Sequence, residues 1–484
     1  MNPTLSTLLD ALRREDLLVA AVELPAITAL TADSRAAAPG SLYIAVRGSQ
    51  ADGHRFLGDA VARGAVAAVV ETPQPVSVPQ VVVRDGRRAA IALARAWYGD
   101  PARSLVLLGV TGTNGKTTTV GLLRHLFNAG GTAGSIGTLG AFDGSGTEVP
   151  STAGSLTTPG PVDLQATLAA LRERGTTHVA METSSHSLDQ GRLDGVSFGG
   201  AVYTNLSRDH LDYHNTMEAY LAAKLKLAAL VGNSGVEAVN VDDAAWAALP
   251  RGHRRVTFGS GPDADVRATE LHLEATGSRF VLSGRFGSAP VELPLLGDFN
   301  VTNALGAAAC ALGLGLPIAE VAERLTVAPQ VPGRMELLSE RPCAVLRDYS
   351  HTPDALVRAL LALRPLTRGR LLVLFGAGGD RDRGKRPLMG RACAEHADLS
   401  FVTSDNPRTE NPEVILDDVE AGMGTAPRRR MADRRTAILA ALAEARLGDT
   451  LLLAGKGHET YQVIGTTKLP FDEREIVRAA VGNA

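Results

Sequence analysis

Apolar positions follow two rhythms along the chain. Near the end of the first quarter, "SLVLLGVTGTNGKTTTVGLLRHLF" sets a continuous apolar run, Leu105 to Leu108, ahead of a loop with Gly109, Gly112 and Gly115. Beyond Lys116, the positions Val120, Leu123 and Phe127, with Leu122 and Leu126 beside them, recur at helical spacing. The pattern predicts a buried strand, a glycine-rich turn and a helix starting at about Lys116. Residues 1 to about 100 alternate short strands and helices, as in "GSLYIAVRG" and "GHRFLGDAVARGAVAAVVE". "WYGDPARS" reads as a linker into the strand at Leu105, and "TVAPQVPGRMELL", with two prolines and a glycine, marks a second boundary near residue 330.

The final block keeps one logic without repeating sequence. "RLLVLF" leads into "GAGGDRDRGKR", "DLSFVTS" into "DNPR" and "DTLLLA" into "GKGHE", with helical patterns between them. Such alternation predicts a parallel sheet. Loops following the strands of a parallel sheet line one crevice. Arg381, Arg408 and Glu459 would meet there, and two guanidiniums with a carboxylate suit a ligand carrying both carboxylate and ammonium groups, such as an amino acid. On composition alone, surface ion pairs account for them equally well.

The chain's 484 residues exceed one ordinary core, so two to four domains are expected. A hydrophobic fraction of 45% and a charged fraction of 21% are those of a globular protein. The net charge of −3 argues against a general nucleic-acid binder. Arg428 to Arg430 are read as a solvated helix face. Cys310, Cys343 and Cys393 are far apart, form no zinc spacing and suit a reducing compartment. The N-terminus lacks the basic start and apolar core of a secretory signal, and no apolar run is long enough to span a membrane. A cytoplasmic protein is expected.

The glycine loop has the features of a phosphate cradle. Its backbone N–H groups and the positive end of the following helix face the same point. Lys116 would neutralise β and γ phosphates, and the Thr117 hydroxyl would ligate Mg²⁺. In the generic G-x-x-x-x-G-K-[ST] pattern the first glycine falls on Val110, a departure. In "HVAMETSSHSLDQGR", Glu182 ends an apolar run, and "VYTNLSRDHLDYH" is a second strand running into Asp209, His210 and Asp212. Acidic and imidazole groups at strand ends beside a phosphate loop suit Mg²⁺–nucleotide chemistry. "MEAYLAAKLKLAAL" reads as a helix; Lys224 and Lys226, two residues apart, cannot share its face, and spacing singles out neither.

The ordered set "TGTNGKTTT", "LTTPG", "ETSSHSLDQGR", "TNLSRDHLDYH", "YLAAK", "LLGDFNVTNALGA", "VPGRME", "DYSHTPDAL", "GAGGDRDRGKRP", "SDNPRTENP" and "AGKGHETYQ" resembles the Mur ligase family, which builds the peptide of bacterial cell-wall precursors. With "TADSR" and "GSQADG" the resemblance spans residues 30 to 465, and this family uses G-T-N-G-K-T, so Val110 is no obstacle. It implies an α/β protein of three domains: an N-terminal UDP-sugar-binding domain over 1–100, a central P-loop ATPase-type parallel sheet over 101–332, and a C-terminal Rossmann-like amino-acid-binding domain over 333–484. The implied reaction is ATP-dependent amide ligation through an acyl phosphate formed on UDP-N-acetylmuramoyl-L-alanyl-D-glutamate.

Residue by residue, the resemblance makes Gly112, Thr113, Asn114, Gly115, Lys116, Thr117 and Thr118 the holders of the ATP phosphates. Asn300 and His351 match positions near adenine and ribose, and Arg334 and Asp348 match the domain junction and its nucleotide contacts. Thr117, Glu182 and His210 match the Mg²⁺ environment, joined by Lys224 as the carbamate that this family forms. Lys116, Glu182, His210 and Lys224 are thereby the expected catalytic residues. Ala32, Ser34, Ser49, Gln50 and Ala51 match the uridine-binding segments, and Thr157, Thr158, Ser184, Gln190 and Arg192 match contacts to the muramoyl-dipeptide. Arg381, Asp405, Asn406, Pro407, Arg408, Gly455 and Glu459 match the amino-acid site. "DNPR" resembles the form found in members adding meso-2,6-diaminopimelate, whose distal carboxylate Arg408 could grip bidentately. L-Lysine or L-ornithine as the added amine, a folate-type ligase and a nucleotide-driven switch NTPase are the alternatives. ATP, Mg²⁺ and small-molecule substrates are the expected partners, with no nucleic acid, no membrane span and a monomeric chain.

Overall fold

The computed structural model describes residues 4–48, 51–150, 156–274 and 276–482. Among these, three main sheets follow one another along the chain. In the first, the spatial order is Leu18–Ala20, Gln80–Val83, Ala65–Val70, Ser41–Ile44, Ala29–Thr31, parallel except at the Leu18–Ala20 edge. Helices Leu5–Arg14 and Gly86–Tyr98 bury Leu8, Leu12, Ala89 and Leu93 against its Leu42, Ile44, Val69 and Val81.

The second sheet has ten strands, and its centre is parallel: Ala133–Gly137, His178–Glu182, Val106–Thr111, Phe198–Tyr203, Val231–Asn240 and Arg254–Phe258 lie side by side. The inner strands Val106–Thr111, His178–Glu182 and Phe198–Tyr203 are covered on both faces, so each reads as a short, nearly continuous apolar run and not an alternating one. On one face, helix Lys116–Phe127 packs beside Asp298–Gly313, whose run of alanines and glycines permits close approach to the sheet. An antiparallel extension, Val266–Glu274, Gly277–Gly284 and Gly287–Leu293, continues the sheet at one edge, and Gly140–Phe142, antiparallel to Ala133–Gly137, closes the other.

The third sheet runs Glu336–Ser339, Ala344–Asp348, Thr450–Ala454, Leu371–Phe375, Leu399–Val402, Arg428–Arg430, parallel except for its first strand. The expected strand-to-loop alternation is present, and the loops after Phe375, Val402 and Ala454 emerge together at one end. A fully buried ion pair, Arg434 to Glu473 at 2.8 Å, braces this end from below. Arg434 also donates to the carbonyls of Ser404 and Ala454, at the roots of two of those loops.

Three local expectations are corrected. Arg428–Arg430 is an edge strand and not a helix face. Three residues are too few to display a period, and Arg430 is held by Glu413, Asp417 and Glu420 of the neighbouring helix. "WYGDPARS" is not an open linker: the helix ends at Tyr98, Pro101–Ser104 forms a 3-10 turn with Pro101 and Ala102 buried, and Asp100 ties the turn to Arg95 and Arg103. The segment after Thr216 is helical only over Met217–Leu225, then tightens into a 3-10 turn, Lys226–Leu230. Lys224 is consequently buried while Lys226 is exposed and paired with Asp189.

Candidate functional site

The phosphate loop is built largely from backbone. Val110 is the penultimate residue of its strand, fully buried, so a glycine there would serve no purpose in this loop. Gly112 and Gly115 have φ of +151° and +85°, and a Cβ would lie 1.9 Å from Thr204 Oγ1 and 2.2 Å from Asn303 Oδ1 respectively. Only glycine fits at either position. Asn205 fixes the loop from outside, accepting from the Asn114 N–H on Oδ1 at 3.0 Å and from the Thr113 N–H on its carbonyl at 2.7 Å. No side chain caps helix Lys116–Phe127, so its first-turn N–H groups remain available to an anion.

A buried lysine, Lys224, and a half-buried one, Lys116, meet beneath this loop. Lys116 Nζ donates to the carbonyls of Gly112 and Thr113 at 3.0 and 2.8 Å, and Lys224 Nζ donates to the same Gly112 carbonyl at 2.7 Å. Lys224 also lies 4.4 Å from the centre of the Tyr220 ring. Burial, and then the Lys116 charge, push the Lys224 ammonium well below the usual lysine range, with Asp209 opposing. Burial likewise lowers Lys116, against the pull of Glu182 and Asp209.

Glu182, at the end of its strand, is buried and accepts from the Thr138 N–H at 2.8 Å and the Thr138 hydroxyl at 3.1 Å. His210 begins a short turn of helix and stands edge-on to His186, with ring centres 4.8 Å apart. Although its side chain is 44% exposed, desolvation by the surrounding groups is the first cause lowering its imidazole below the ordinary histidine range, against neighbouring Asp209. Burial would raise the Asp209 carboxyl, but His210, His351 and Lys385 together keep it low.

Among the described residues, no group of three or more His, Cys, Asp or Glu side chains could by itself hold a metal ion. The donors near the loop suit Mg²⁺ in another way. Mg²⁺ commonly takes one or two carboxylates and completes its shell with phosphate oxygens and water. Glu182 and the Thr117 hydroxyl supply oxygen, and a neutral Lys224 amine is the form able to take up CO₂. Arg334 reaches across from the third sheet's entry to donate to Thr117 Oγ1 at 2.9 Å. It also stacks on Tyr349 with its guanidinium 4.5 Å from the ring centre.

The second half of the site comes from the third sheet. Arg381, Asp405, Asn406, Arg408, Gly455 and Glu459, from the loops after three adjacent strands, line a cavity of about 260 Å³. A neighbouring cavity of about 260 Å³ lies over Lys116 and is lined by Thr113 to Thr118, Thr157, Glu182, Ser184, Lys224, Asn300, Arg334, Asp348 and His351. The two share Asp209, His210, Tyr349 and His351 as a common wall. Contacts such as Arg208 to Asp382 at 3.8 Å and Asn114 to Asp354 at 3.2 Å join the two sheets around the cleft.

The remaining expected residues lie at or beyond the margins. Thr158 is buried, donates to the Glu182 carbonyl at 2.8 Å and approaches Ser184 Oγ at 3.2 Å. Arg192 donates to Gln190 Oε1 through Nε and Nη2 at 2.9 and 2.6 Å. Thr158, Gln190, Arg192 and Pro407 line neither cavity, nor do Ala32, Ser34 and Ala51 in the first sheet's unit. Ser49 and Gln50 lie outside the described residues. Sequence reasoning missed Lys385 and Tyr349 in the cavity wall, and Lys456 beneath it. Lys456 had a signal, a lysine between Gly455 and Gly457 at a strand end.

Comparison with known proteins follows the same division. Residues 26–98 match the model described as Mur ligase family, catalytic domain; residues 110–311 match the Mur ligase middle domain, and residues 333–457 the Mur ligase, glutamate ligase domain. A UDP-N-acetylmuramoyl-L-alanyl-D-glutamate--2,6-diaminopimelate ligase from Gloeobacter violaceus is 45% identical over 464 residues, covering 94% of each chain. A solved structure of a ligase of that same name is 34% identical, with a TM-score of 0.63, over 96% of this chain and 97% of the other. Mycobacterium tuberculosis folylpolyglutamate synthase, complexed with ADP and AMPPCP, is 17% identical with a TM-score of 0.62 over 81% of this chain and 95% of its own, a likeness of fold alone.

Proposed function

The chain belongs to the Mur ligase family, and from that premise we propose that it joins meso-2,6-diaminopimelate to UDP-N-acetylmuramoyl-L-alanyl-D-glutamate, with ATP converted to ADP, in peptidoglycan precursor synthesis. The observation that carries this reading is the shared wall. A carboxyl group activated over the phosphate loop faces an amine held among guanidiniums on the other side.

The chemistry needs those two halves. A carboxylate is a poor electrophile until it carries a leaving group. Its oxygen attacks the γ-phosphorus and ADP departs, and the amine then adds to the acyl carbon and expels phosphate. Gly112 to Thr118 and the open helix N-terminus hold the phosphates, with Lys116 facing the charge that gathers on the transferring group. Asn300 and His351 flank the nucleoside, and Arg334 and Asp348 join the third unit to it. Mg²⁺ would be held by Thr117, Glu182, His210 and a carbamate on Lys224, and supplies further charge stabilisation when bound. Burial favours the neutral Lys224 amine, which CO₂ can attack, and the carbamate would replace a buried cation with oxygen donors.

Arg381 and Arg408 take the distal carboxylate of diaminopimelate and Glu459 and Asp405 its ammonium, with Asn406, Pro407 and Gly455 shaping the loop. L-Lysine and L-ornithine lack that carboxylate and leave the guanidiniums unpaired. Thr157, Thr158, Ser184, Gln190 and Arg192 hold the muramoyl-dipeptide, and Ala32, Ser34 and Ala51 the uridine end. Units 1–100, 101–332 and 333–484 thus divide the three substrates, in a monomeric cytoplasmic enzyme. No helix among the described residues is long and apolar enough to cross a membrane.

Phosphate release from ATP, measured with UDP-N-acetylmuramoyl-dipeptide and each amine in turn, tests the reading. Release is expected to require both co-substrates and to prefer meso-2,6-diaminopimelate. Release that ignores them would point to a switch NTPase, and preference for L-lysine or L-ornithine would reassign the amine.

A further inference from the structure

The amino-acid cavity holds charges of both signs, yet they do not neutralise one another. Asp405 and Glu459 share its lining with Arg381 and Arg408, but neither guanidinium forms an ion pair among the described residues. Arg408 Nη1 donates instead to the Gly379 carbonyl at 2.7 Å. The carboxylates are already engaged from below. Lys456, fully buried, places Nζ 3.4 Å from Asp405 Oδ1, 3.0 Å from Glu459 Oε2 and 3.1 Å from Asn406 Oδ1.

Its contacts also orient the loop's amide. Asn406 Oδ1 accepts from Lys456 and from the Val463 N–H at 2.9 Å, so its Nδ2 must turn the other way, and it donates to Glu459 Oε2 at 2.9 Å. Glu459 Oε2 thereby receives two donors, from Lys456 and Asn406. The strand Tyr461–Ile464 backs this arrangement, with Gln462 Nε2 donating to the Asp405 carbonyl at 2.6 Å.

We infer that Lys456 is a positioning and specificity residue: by satisfying Asp405 and Glu459 from beneath, it keeps Arg381 and Arg408 unpaired for the carboxylate of the incoming amino acid. Without it, two largely buried carboxylates lose their cation, and the guanidiniums that share their cavity are cations left to pair with them. A pocket collapsed on itself in that way pairs internally and no longer grips the ligand carboxylate. This inference rests on the reading of the cavity as the diaminopimelate site, and extends it to a lysine that the substrate does not touch.

The test is Lys456→Met, assayed for each substrate separately with its melting curve recorded. KM for meso-2,6-diaminopimelate is expected to rise at least about tenfold, and preference over L-lysine in kcat/KM to fall by about the same factor. KM for ATP and for the nucleotide-dipeptide, and kcat at saturating amine, should stay within about threefold. Should Lys456→Met lack a cooperative melt, the double variant Lys456→Met with Asp405→Asn removes one charge of each sign and carries the same reading. Its preference over L-lysine is compared with that of Asp405→Asn alone, and a further fall supports the inference. A folded variant with unchanged amine KM and preference, or with equal losses for all three substrates, overturns it. Wild-type enzyme assayed alongside with L-lysine and L-ornithine separates the two possible failures. A wrong amine assignment appears as a different wild-type preference, whereas a wrong role for Lys456 leaves variant and wild type with the same preference.

Discussion

The two halves of the cleft achieve charge recognition by opposite means. Over the phosphate loop, the recognising groups are N–H groups and a helix end, set by two glycines that admit no side chain. In the cavity proposed for the amino acid they are side chains from loops centred near residues 381, 408 and 459, the last two tied together by a buried lysine. Backbone recognition is local and tolerant of everything except a Cβ in the wrong place. Side-chain recognition is selective, because each unpaired buried charge is costly, and it depends on every member of its network.

The sharpest way to break this contrast lies at the phosphate side. Lys224→Ala should reduce ligation by on the order of 10³-fold while leaving the fold intact, and a short carboxylic acid added to the assay should restore part of it by standing in for the carbamate. Full activity in the alanine variant would mean that this half works by backbone and Lys116 alone.

A change on the other side should act on selection. Arg408→Lys keeps the charge but loses the planar fork, so KM for meso-2,6-diaminopimelate should rise about 10- to 100-fold with KM for ATP unchanged. Equal changes in both constants would show that the two halves are not separable.

The smallest effect concerns acid. Glu410 pairs with buried Arg386 at 2.7 Å and accepts from the Asp380 N–H behind the amino-acid cavity, with the Arg386 hydrogen bond first among the causes holding its carboxyl down at about 2. A depressed carboxyl stabilises the folded state above its ordinary value of 4.5, and that contribution is lost as pH falls from there toward 2. Glu410→Gln should therefore flatten the fall in melting temperature over this range. An unchanged acid profile would show that the pair adds nothing to the cavity's support.

Legibility in the sequence divides along the same line. The strand, the glycine turn and the start of helix Lys116–Phe127 were readable because a few consecutive residues dictate them. The strand-to-loop alternation of the third sheet was equally plain, since each buried parallel strand is one apolar run. Arg428–Arg430 misled because charge composition does not distinguish an edge strand from a helix face. Lys456 escaped notice because two of its three partners, Asp405 and Asn406, lie about fifty residues upstream.

The sequence by itself settled which segments are strands and helices near the loop, where the glycines must stand and which residue types could handle phosphate and carboxylate. Periodicity and glycine conformation are short-range physics and are written into neighbouring positions. Tertiary structure alone decided that Asp209, His210, Tyr349 and His351 wall both cavities, that Lys224 and not Lys226 is buried, and that Lys456 occupies the carboxylates beside Arg408. Burial and ion pairing depend on what the rest of the chain brings to a given point, and no window of local sequence contains that.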